Sequence, residues 1–220
     1  MEELNCETVF TIPIFGGIDI GESVVVTWII MAVLVLISIL ATRNLKVLNP
    51  GKGQMMLEMA VSSLHNMVSG MVGENGQKYV PYLMTVLVYI GFANIIGLFG
   101  FKPPTKDLNV TIALAVMSIV LIEAAGIIAR GTKGWIKSFA QPVAIMTPFN
   151  ILEIVIKPLS LCMRLFGNVL GAFVIMELIK QVVPVALPVP FSLYFDIFDG
   201  LIQAYVFVFL TSLFVKEAIE

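Results

Sequence analysis

The chain has few charged residues of either sign. Charged side chains make up 13% of its 220 residues, and the formal net charge is only −2. A soluble domain needs a more charged surface than this, and a nucleic-acid-binding protein needs an excess of basic residues. The composition therefore argues against a soluble fold and against a nucleic-acid partner.

Residues suited to metal or nucleotide chemistry are also scarce. The two cysteines, Cys6 and Cys162, and the single histidine, His65, match no metal-ligand spacing, and the chain contains no G-x-x-x-x-G-K loop. We expect both thiols to be free, and we expect no metal site and no cofactor. Residues 1–21 lack the basic start of a secretory signal, so no cleaved leader is expected.

What the chain does have is long apolar runs, and 59% of its residues are hydrophobic. A run of about 20 apolar residues crosses a hydrocarbon core roughly 30 Å thick. The runs predict an all-α polytopic membrane protein, with residues 1–220 as a single membrane domain. In order, the predicted elements are an N-terminal span (22–43), a surface amphipathic helix (52–72), a transmembrane hairpin (79–129) and a pair of long tilted helices (148–216).

Basic clusters predict the orientation of the chain. One cluster follows the first span and another follows the hairpin, and the positive-inside rule places both in the cytoplasm. The clusters are Arg43, Lys46 and Lys52, and Arg130, Lys133 and Lys137. Lys102 and Lys106 in the hairpin link argue the other way but are fewer. We therefore expect the N-terminus outside and the C-terminus in the cytoplasm.

Arg164 lies deep in the apolar run 149–183. A charge at that depth costs about 2.5–3.5 kcal/mol on insertion scales, so it is seldom found without a function. The alternative is that the side chain reaches the interface, but both ends of the run are far away. A guanidinium stays protonated, so this residue can attract or repel a carboxylate but cannot relay a proton.

Small residues follow Arg164 on nearly the same helical face. Gly167, Asn168, Gly171 and Ala172 lie one and two turns beyond it, and Gly167 to Gly171 is a small-xxx-small step that lets another helix approach closely. Such a step usually means ordinary helix packing. Beside a buried arginine, it favours a partner helix that carries an acid.

Polar residues also share a stripe on the last helix. By their spacings of three, four and seven, Asp196, Asp199 and Gln203 fall in one line, together with Gly200 and Phe207. Such a line suits a water-filled half-channel or a proton relay. The alternative is a pair of structural carboxyl groups bonded to Arg164 or Lys180.

Two further acids have structural interpretations of their own. Glu177 and Lys180 are spaced to form a local ion pair near the outer end of the arginine helix. Glu123 lies about two turns from the cytoplasmic end of its span, which favours helix packing or snorkelling over a place in an ion path.

Three motifs resemble subunit a of F-type ATP synthases. They are PTKDLN (104–109), SLCMRLFGN (160–168) and GLIQAYVF (200–207), and their order and separations fit as well. The resemblance covers nearly the whole chain. It implies a non-catalytic stator subunit of an ATP synthase complex, in an energy-transducing membrane that we expect to be a bacterial plasma membrane. The implied partners are the proteolipid ring (subunit c), the peripheral stalk subunit b, the lipid bilayer and the translocated proton or sodium ion.

The resemblance also assigns roles to residues. It implies two offset half-channels and a fixed Arg164 that together couple ion flux to rotation of the ring. Asn168 and Gln203 match positions lining the ion route, and Asp196 matches a position where relatives place an ionisable residue. Gly167, Gly171 and Ala172 would pack towards the ring. Asp107, Asn109 and Glu123 remain secondary, either in the ion path or structural.

The chain departs from some relatives at Phe173, nine places after Arg164, where they carry a second ionisable residue. Asp199, one turn from Asp196, and Glu177, one turn from Phe173, are both candidates to complete the outer half-channel. The choice between proton and sodium stays open, because in this family the binding site of the ring largely sets it.

Two other classes of function are alternatives to a stator subunit. A self-contained channel or secondary transporter also keeps charges in the membrane, but the sequence shows no pseudo-symmetric halves and no filter-like loop. A purely structural scaffold does not explain Arg164.

Overall fold

The computed structural model describes residues 8–12, 18–43, 45–46, 51–99, 101–138, 147–182 and 188–219. Five helical segments of this part of the chain are long and apolar enough to cross a membrane. They are Glu22–Thr42, Glu74–Leu98, Leu108–Trp135, Thr147–Gln181 and Pro190–Ile219. The prediction of an all-α polytopic membrane protein is confirmed.

The chain enters its first helix from a short hairpin that the sequence did not predict. Strand β1 (Thr8–Ile12) pairs antiparallel with β2 (Ile18–Gly21), with Ile12 opposite Ile18. Helix α1 (Glu22–Thr42) follows directly and buries only Ser23, Val26 and Ile30. Most of the aliphatic side chains from Trp28 to the end of α1 are exposed, as expected of a helix that faces lipid.

Helix α2 (Lys52–Val72) has one exposed side and one packed end. Met56 and Met59 are exposed, whereas Val68 and Val72 are buried against the core of the bundle. The helix ends at Gly73, whose φ of 80° is the left-handed conformation that glycine adopts easily.

The predicted hairpin consists of α3 and α4 joined by short turns. A 3-10 helix (Glu74–Tyr79) leads into α3 (Val80–Ile95), and two 3-10 turns (Ile96–Phe99 and Pro104–Lys106) lie before α4 (Leu108–Ser138). Helix α4 kinks at Gly131, where φ is 72°. The apolar run that predicted this arm ends two residues before the kink.

The last third of the described chain holds one long helix and one composite helix. Helix α5 (Thr147–Val182) continues through Pro158. The composite helix starts with α6 (Pro188–Ser192), passes through a π-helix (Leu193–Asp199) and becomes α7 (Gly200–Ile219). The sequence indicated the long helices but not the π-helix.

Helix α7 lies at the centre of the bundle. It packs against α3 and α4, and α4 also packs along α5. The largest fully buried side chains include Phe207 on α7, Leu83 and Ile90 on α3, and Leu161 and Leu165 on α5. Helix α7 is therefore held on several sides, while α5 turns only one face towards the rest of the chain.

Candidate functional site

Arg164 is the central residue of the 35-residue apolar segment Thr147–Gln181. At 1.5 Å per residue, each end of the segment is about 25 Å away, beyond the reach of an arginine side chain. Its neighbours Leu161 and Leu165 are buried, whereas Arg164 itself is exposed. Among the described residues, no carboxylate lies within 4.0 Å of the guanidinium. The cation therefore points away from the interior of its own chain.

The small residues beyond Arg164 lie on a face that the described part of the chain leaves open. A β-carbon built on Gly167 or Gly171 would meet none of the described atoms within 4 Å. Gly167 and Asn168 are exposed, and Gly171 and Ala172 are half-buried. The face therefore offers room for the backbone of another helix close to the arginine.

One turn beyond Arg164, a hydrogen bond joins the arginine helix to α7. The Asn168 amide Nδ2 donates to Oε1 of Gln203 at 2.6 Å. Gln203 is only 3% exposed, and its Nε2 has no hydrogen-bond partner among the residues that the structure describes. A buried amide donor without an acceptor is costly, so this side chain is suited to a polar species arriving from outside the chain.

The two acids predicted on the last helix lie in the π-helix that precedes Gly200. Asp196 accepts a hydrogen bond from the Ser192 hydroxyl at 2.8 Å, and its Oδ1 lies 3.1 Å from where a β-carbon on Gly97 would be. Asp199 is half-buried and makes no hydrogen bond or ion pair within the described residues. Within the same residues, no ion pair of 4.0 Å or less joins either acid to Arg164 or Lys180.

The π-helix changes the geometry expected for the polar stripe. Its i→i+5 hydrogen bonds put more residues into each turn than an α-helix does, so the angular spacing expected of an α-helix does not hold before Gly200. Gln203 and Phe207 are buried, whereas Asp196 and Asp199 are partly exposed. The acids and Gln203 share one composite helix but differ in their surroundings.

The remaining predicted residues have structural contacts. Glu177 pairs with Lys180 at 3.6 Å, the local ion pair that the sequence offered as an interpretation. Glu123 accepts a hydrogen bond of 2.8 Å from the Trp135 indole, across the kink of α4.

Asp107 caps α4 and also contacts the first span. Its Oδ1 accepts the backbone N–H of Asn109 at 2.9 Å, and its Oδ2 accepts the hydroxyl of Ser23 at 2.6 Å. Such a cap satisfies a backbone donor in the first turn of the helix. The side chain of Asn109 is exposed.

The sequence reasoning missed a buried polar cluster beside these acids. The Asn94 amide donates to the carbonyl of Gly200 at 2.9 Å and accepts the Thr105 hydroxyl at 2.7 Å. Asn94 is an amide within an otherwise apolar span, and a polar residue at that depth is the same signal that singled out Arg164.

Lys106 follows Thr105 in the same turn. Its ammonium lies 3.2 Å from the centre of the Phe173 ring, an arrangement in which a cation is attracted to an aromatic face. In this chain a cation and an aromatic ring thus meet at Phe173, nine places after Arg164.

The chain was compared with known families and proteins. The family described as ATP synthase A chain matches residues 24–216, a range that includes Arg164, Asn168, Gln203 and both acids of the π-helix. This chain belongs to that family.

Individual relatives extend the similarity over nearly the full chain. ATP synthase subunit a of Moorella thermoacetica is 37% identical over 206 residues, covering 93% of this chain and 94% of the relative. ATP synthase subunit a 3 of Pelobacter propionicus is 36% identical, covering 91% and 88%. The protein named ATP synthase subunit a, sodium ion specific, of Propionigenium modestum is 30% identical, covering 92% and 75%. The chain is therefore similar to membrane subunits of ATP synthases from several organisms.

Proposed function

We propose that this chain is the ion-translocating stator subunit of a rotary F-type ATP synthase. In this role it supplies two offset half-channels and a fixed arginine that couple the flux of protons or sodium ions to rotation of a proteolipid ring. It does no catalytic chemistry by itself. Membership in the ATP synthase A chain family supports the assignment to this subunit. The position of Arg164 at mid-span supports the proposed coupling mechanism.

The observation that carries the proposal is an outward-facing cation at the centre of an apolar helix. Arg164 lies at mid-span, faces away from its own core and has no acid of its own chain within 4.0 Å in the described part. A charge at that depth is stable only when it meets an opposite charge or water. A carboxylate on another subunit, passing through mid-membrane, would meet that need.

The open glycine face suggests where that subunit packs. Gly167 and Gly171 lie one and two turns from Arg164, and nothing in the described chain fills the space above them. A ring of small helices could pass there at close range. Gln203 Nε2, which has no partner among the described residues, lies beside the same region, linked through Asn168, and could donate a hydrogen bond to a passing carboxylate.

The acids of the π-helix are the proposed outer half-channel. Asp196 and Asp199 are partly exposed and form no close ion pair with any described residue, so they could exchange ions with water. Of the two candidates to complete this route, Asp199 is favoured over Glu177, because Glu177 is paired with Lys180. The guanidinium at Arg164 would favour the ionised form of a ring carboxylate that has released its ion.

Coupling follows from keeping the two half-channels apart. An ion that enters from one side binds a ring carboxylate and leaves only after the ring has carried it around. Each elementary charge releases about 2.3 kcal/mol per 100 mV, so several must cross for each ATP made in the soluble head. Arg164 would block a direct passage between the half-channels.

The proposal includes partners and a location. The ring of subunit c would cover the face around Gly167, the peripheral stalk subunit b would hold the chain still, and lipid would cover α1. We place the chain in a bacterial plasma membrane as a multi-pass protein, with the N-terminus outside and the C-terminus in the cytoplasm.

Purification and reconstitution test the function. A tagged chain should co-purify with a proteolipid ring, and vesicles containing the complete complex should pump ions when ATP is supplied. The same chain freed of the ring should not conduct. Conduction by the isolated chain as an oligomer would instead support the channel or transporter alternative.

A further inference from the structure

The cluster around Asn94 lies outside the ion route as proposed and is nearly completely buried. Asn94 is 4% exposed and Thr105 is 0% exposed. Burying an amide and a hydroxyl stabilises the fold only if their hydrogen bonds are made, and here the amide both donates and accepts. The Thr105 hydroxyl thus fixes which way the Asn94 amide faces, and the amide nitrogen is directed at Gly200.

Gly200 is the residue at which the π-helix ends and α7 begins. Its backbone N–H donates to the carbonyls of Phe195 and Ile197, and the bond to Phe195 is the i→i+5 bond that closes the π-helix. Its backbone carbonyl accepts the Asn94 amide at 2.9 Å. The backbone N–H and the backbone carbonyl of Gly200 are therefore both hydrogen-bonded.

The contact between the two helices requires glycine at this position. A β-carbon on Gly200 would lie 2.8 Å from the β-carbon of Asn94, closer than two carbons can approach. The absence of a side chain lets α3 lie directly against the junction. The Asn94 side chain consequently bonds to the backbone of the composite helix rather than to one of its side chains.

The junction lies close to both acids in the chain and in space. Asp199 is the residue before Gly200, and Asp196 lies one turn further back, with its carboxylate against Gly97 in the 3-10 turn that follows α3. Two contacts therefore lie on either side of the acids, Gly97 beneath Asp196 and Asn94 of α3 at Gly200. Two points of contact fix both the position and the rotation of the π-helix.

We propose that Asn94, oriented by Thr105, is a positioning residue for the outer acids. The Asn94 amide holds the Gly200 carbonyl, keeps the π-helix closed and so sets where Asp196 and Asp199 face the ion route. This inference rests on the proposed function for the role of the acids. The hydrogen bonds that Asn94 makes with Thr105 and Gly200 belong to the fold and do not depend on that function.

The experiment compares Thr105→Val, which removes the hydroxyl at nearly constant volume, with Thr105→Ser, which keeps it. Asn94→Ala provides a second way to remove the contact. Each variant is purified as the complete complex, and backbone hydrogen exchange is measured over residues 195–204. ATP-driven ion pumping is measured on the same preparations in vesicles.

Thr105→Val and Asn94→Ala should exchange faster over residues 195–204 but not in α5, and the ring should remain bound. Because small displacements of positioned groups can cost up to about 10²-fold in rate, pumping should fall by roughly tenfold to a hundredfold. Thr105→Ser should match the unmodified chain in both measurements.

Each contrary result overturns a defined part of the inference. Unchanged exchange in Thr105→Val and Asn94→Ala would show that the cluster does not hold the junction. Faster exchange with full pumping would show that the junction does not position the acids. Loss of pumping in Thr105→Ser would show that the hydroxyl is not the cause. Since exchange does not depend on ion transport, a failure of the proposed function would leave the exchange result intact and would appear separately, as normal pumping by an Arg164 variant.

Discussion

Replacement of Arg164 by alanine is the sharpest test of the proposed mechanism. The structure predicts that this change leaves the chain itself intact, because Arg164 is exposed and forms no ion pair within the described residues. Surface substitutions of that kind usually change stability by less than about 0.5 kcal/mol. Removal of a charge from mid-membrane also relieves about 2.5–3.5 kcal/mol of insertion cost. The variant should therefore insert and assemble.

The loss should appear in the transport step instead. A guanidinium and a carboxylate about 4 Å apart attract each other by about 4 kcal/mol at an effective dielectric constant of about 20. If that attraction helps a ring carboxylate to release its ion, its loss corresponds to about a thousandfold in rate. We expect ATP-driven pumping by Arg164→Ala to fall below detection in reconstituted vesicles, with the ring still present in the purified complex.

Two control variants define the result. Arg43→Ala removes an arginine at the end of α1, far along the chain from the proposed route, and should pump normally. Arg164→Lys keeps the charge but loses the planar fork, and should retain more activity than alanine. Coupled pumping by Arg164→Ala at the unmodified rate would refute the fixed-cation role. Loss of the ring from that variant would show that Arg164 holds the assembly together instead.

Two further predictions address the acids and the glycine face. Asp196→Asn should slow passive ion flux while the complex still assembles. Unchanged flux across pH would instead assign the role to Asp199 or Glu177, which Asp199→Asn and Glu177→Gln would then test. Gly171→Leu should fold normally, because nothing in the described chain lies within 4 Å of the added β-carbon, but it should block close approach of the ring and stop pumping. Gly53→Leu, an equally open glycine on α2, is its control, and equal activity of the two leucine variants would contradict a ring-facing surface.

The sequence predicted those parts of the fold that depend on hydropathy. Long apolar runs indicated the spanning helices because a membrane imposes both length and composition on them. The run through Pro158 predicted a continuous helix, and α5 does continue there. The hairpin β1–β2 was missed because its strands are only five and four residues long. Runs that short carry little periodic signal.

The candidate site was predictable where one residue carries an unusual cost. Arg164 is recognisable from composition alone, since a mid-span charge needs a reason. The π-helix was not predictable, because its i→i+5 hydrogen bonds leave no pattern in hydropathy. The spacing of the acids therefore predicted an ordinary α-helix. The contact between Asn94 and Gly200 joins residues 106 positions apart, which spacing along one helix cannot reveal.

The turn before α4 links several helices through adjacent residues. Thr105 bonds to α3, Lys106 lies over Phe173 of α5, and Asp107 binds Ser23 of α1. Helix α1 otherwise makes few contacts, because its only buried residues are Ser23, Val26 and Ile30. During synthesis this helix leaves the ribosome well before residues 102–107 exist. Helix α1 thus gains its hydrogen bond to Asp107 only after a later part of the chain has been translated.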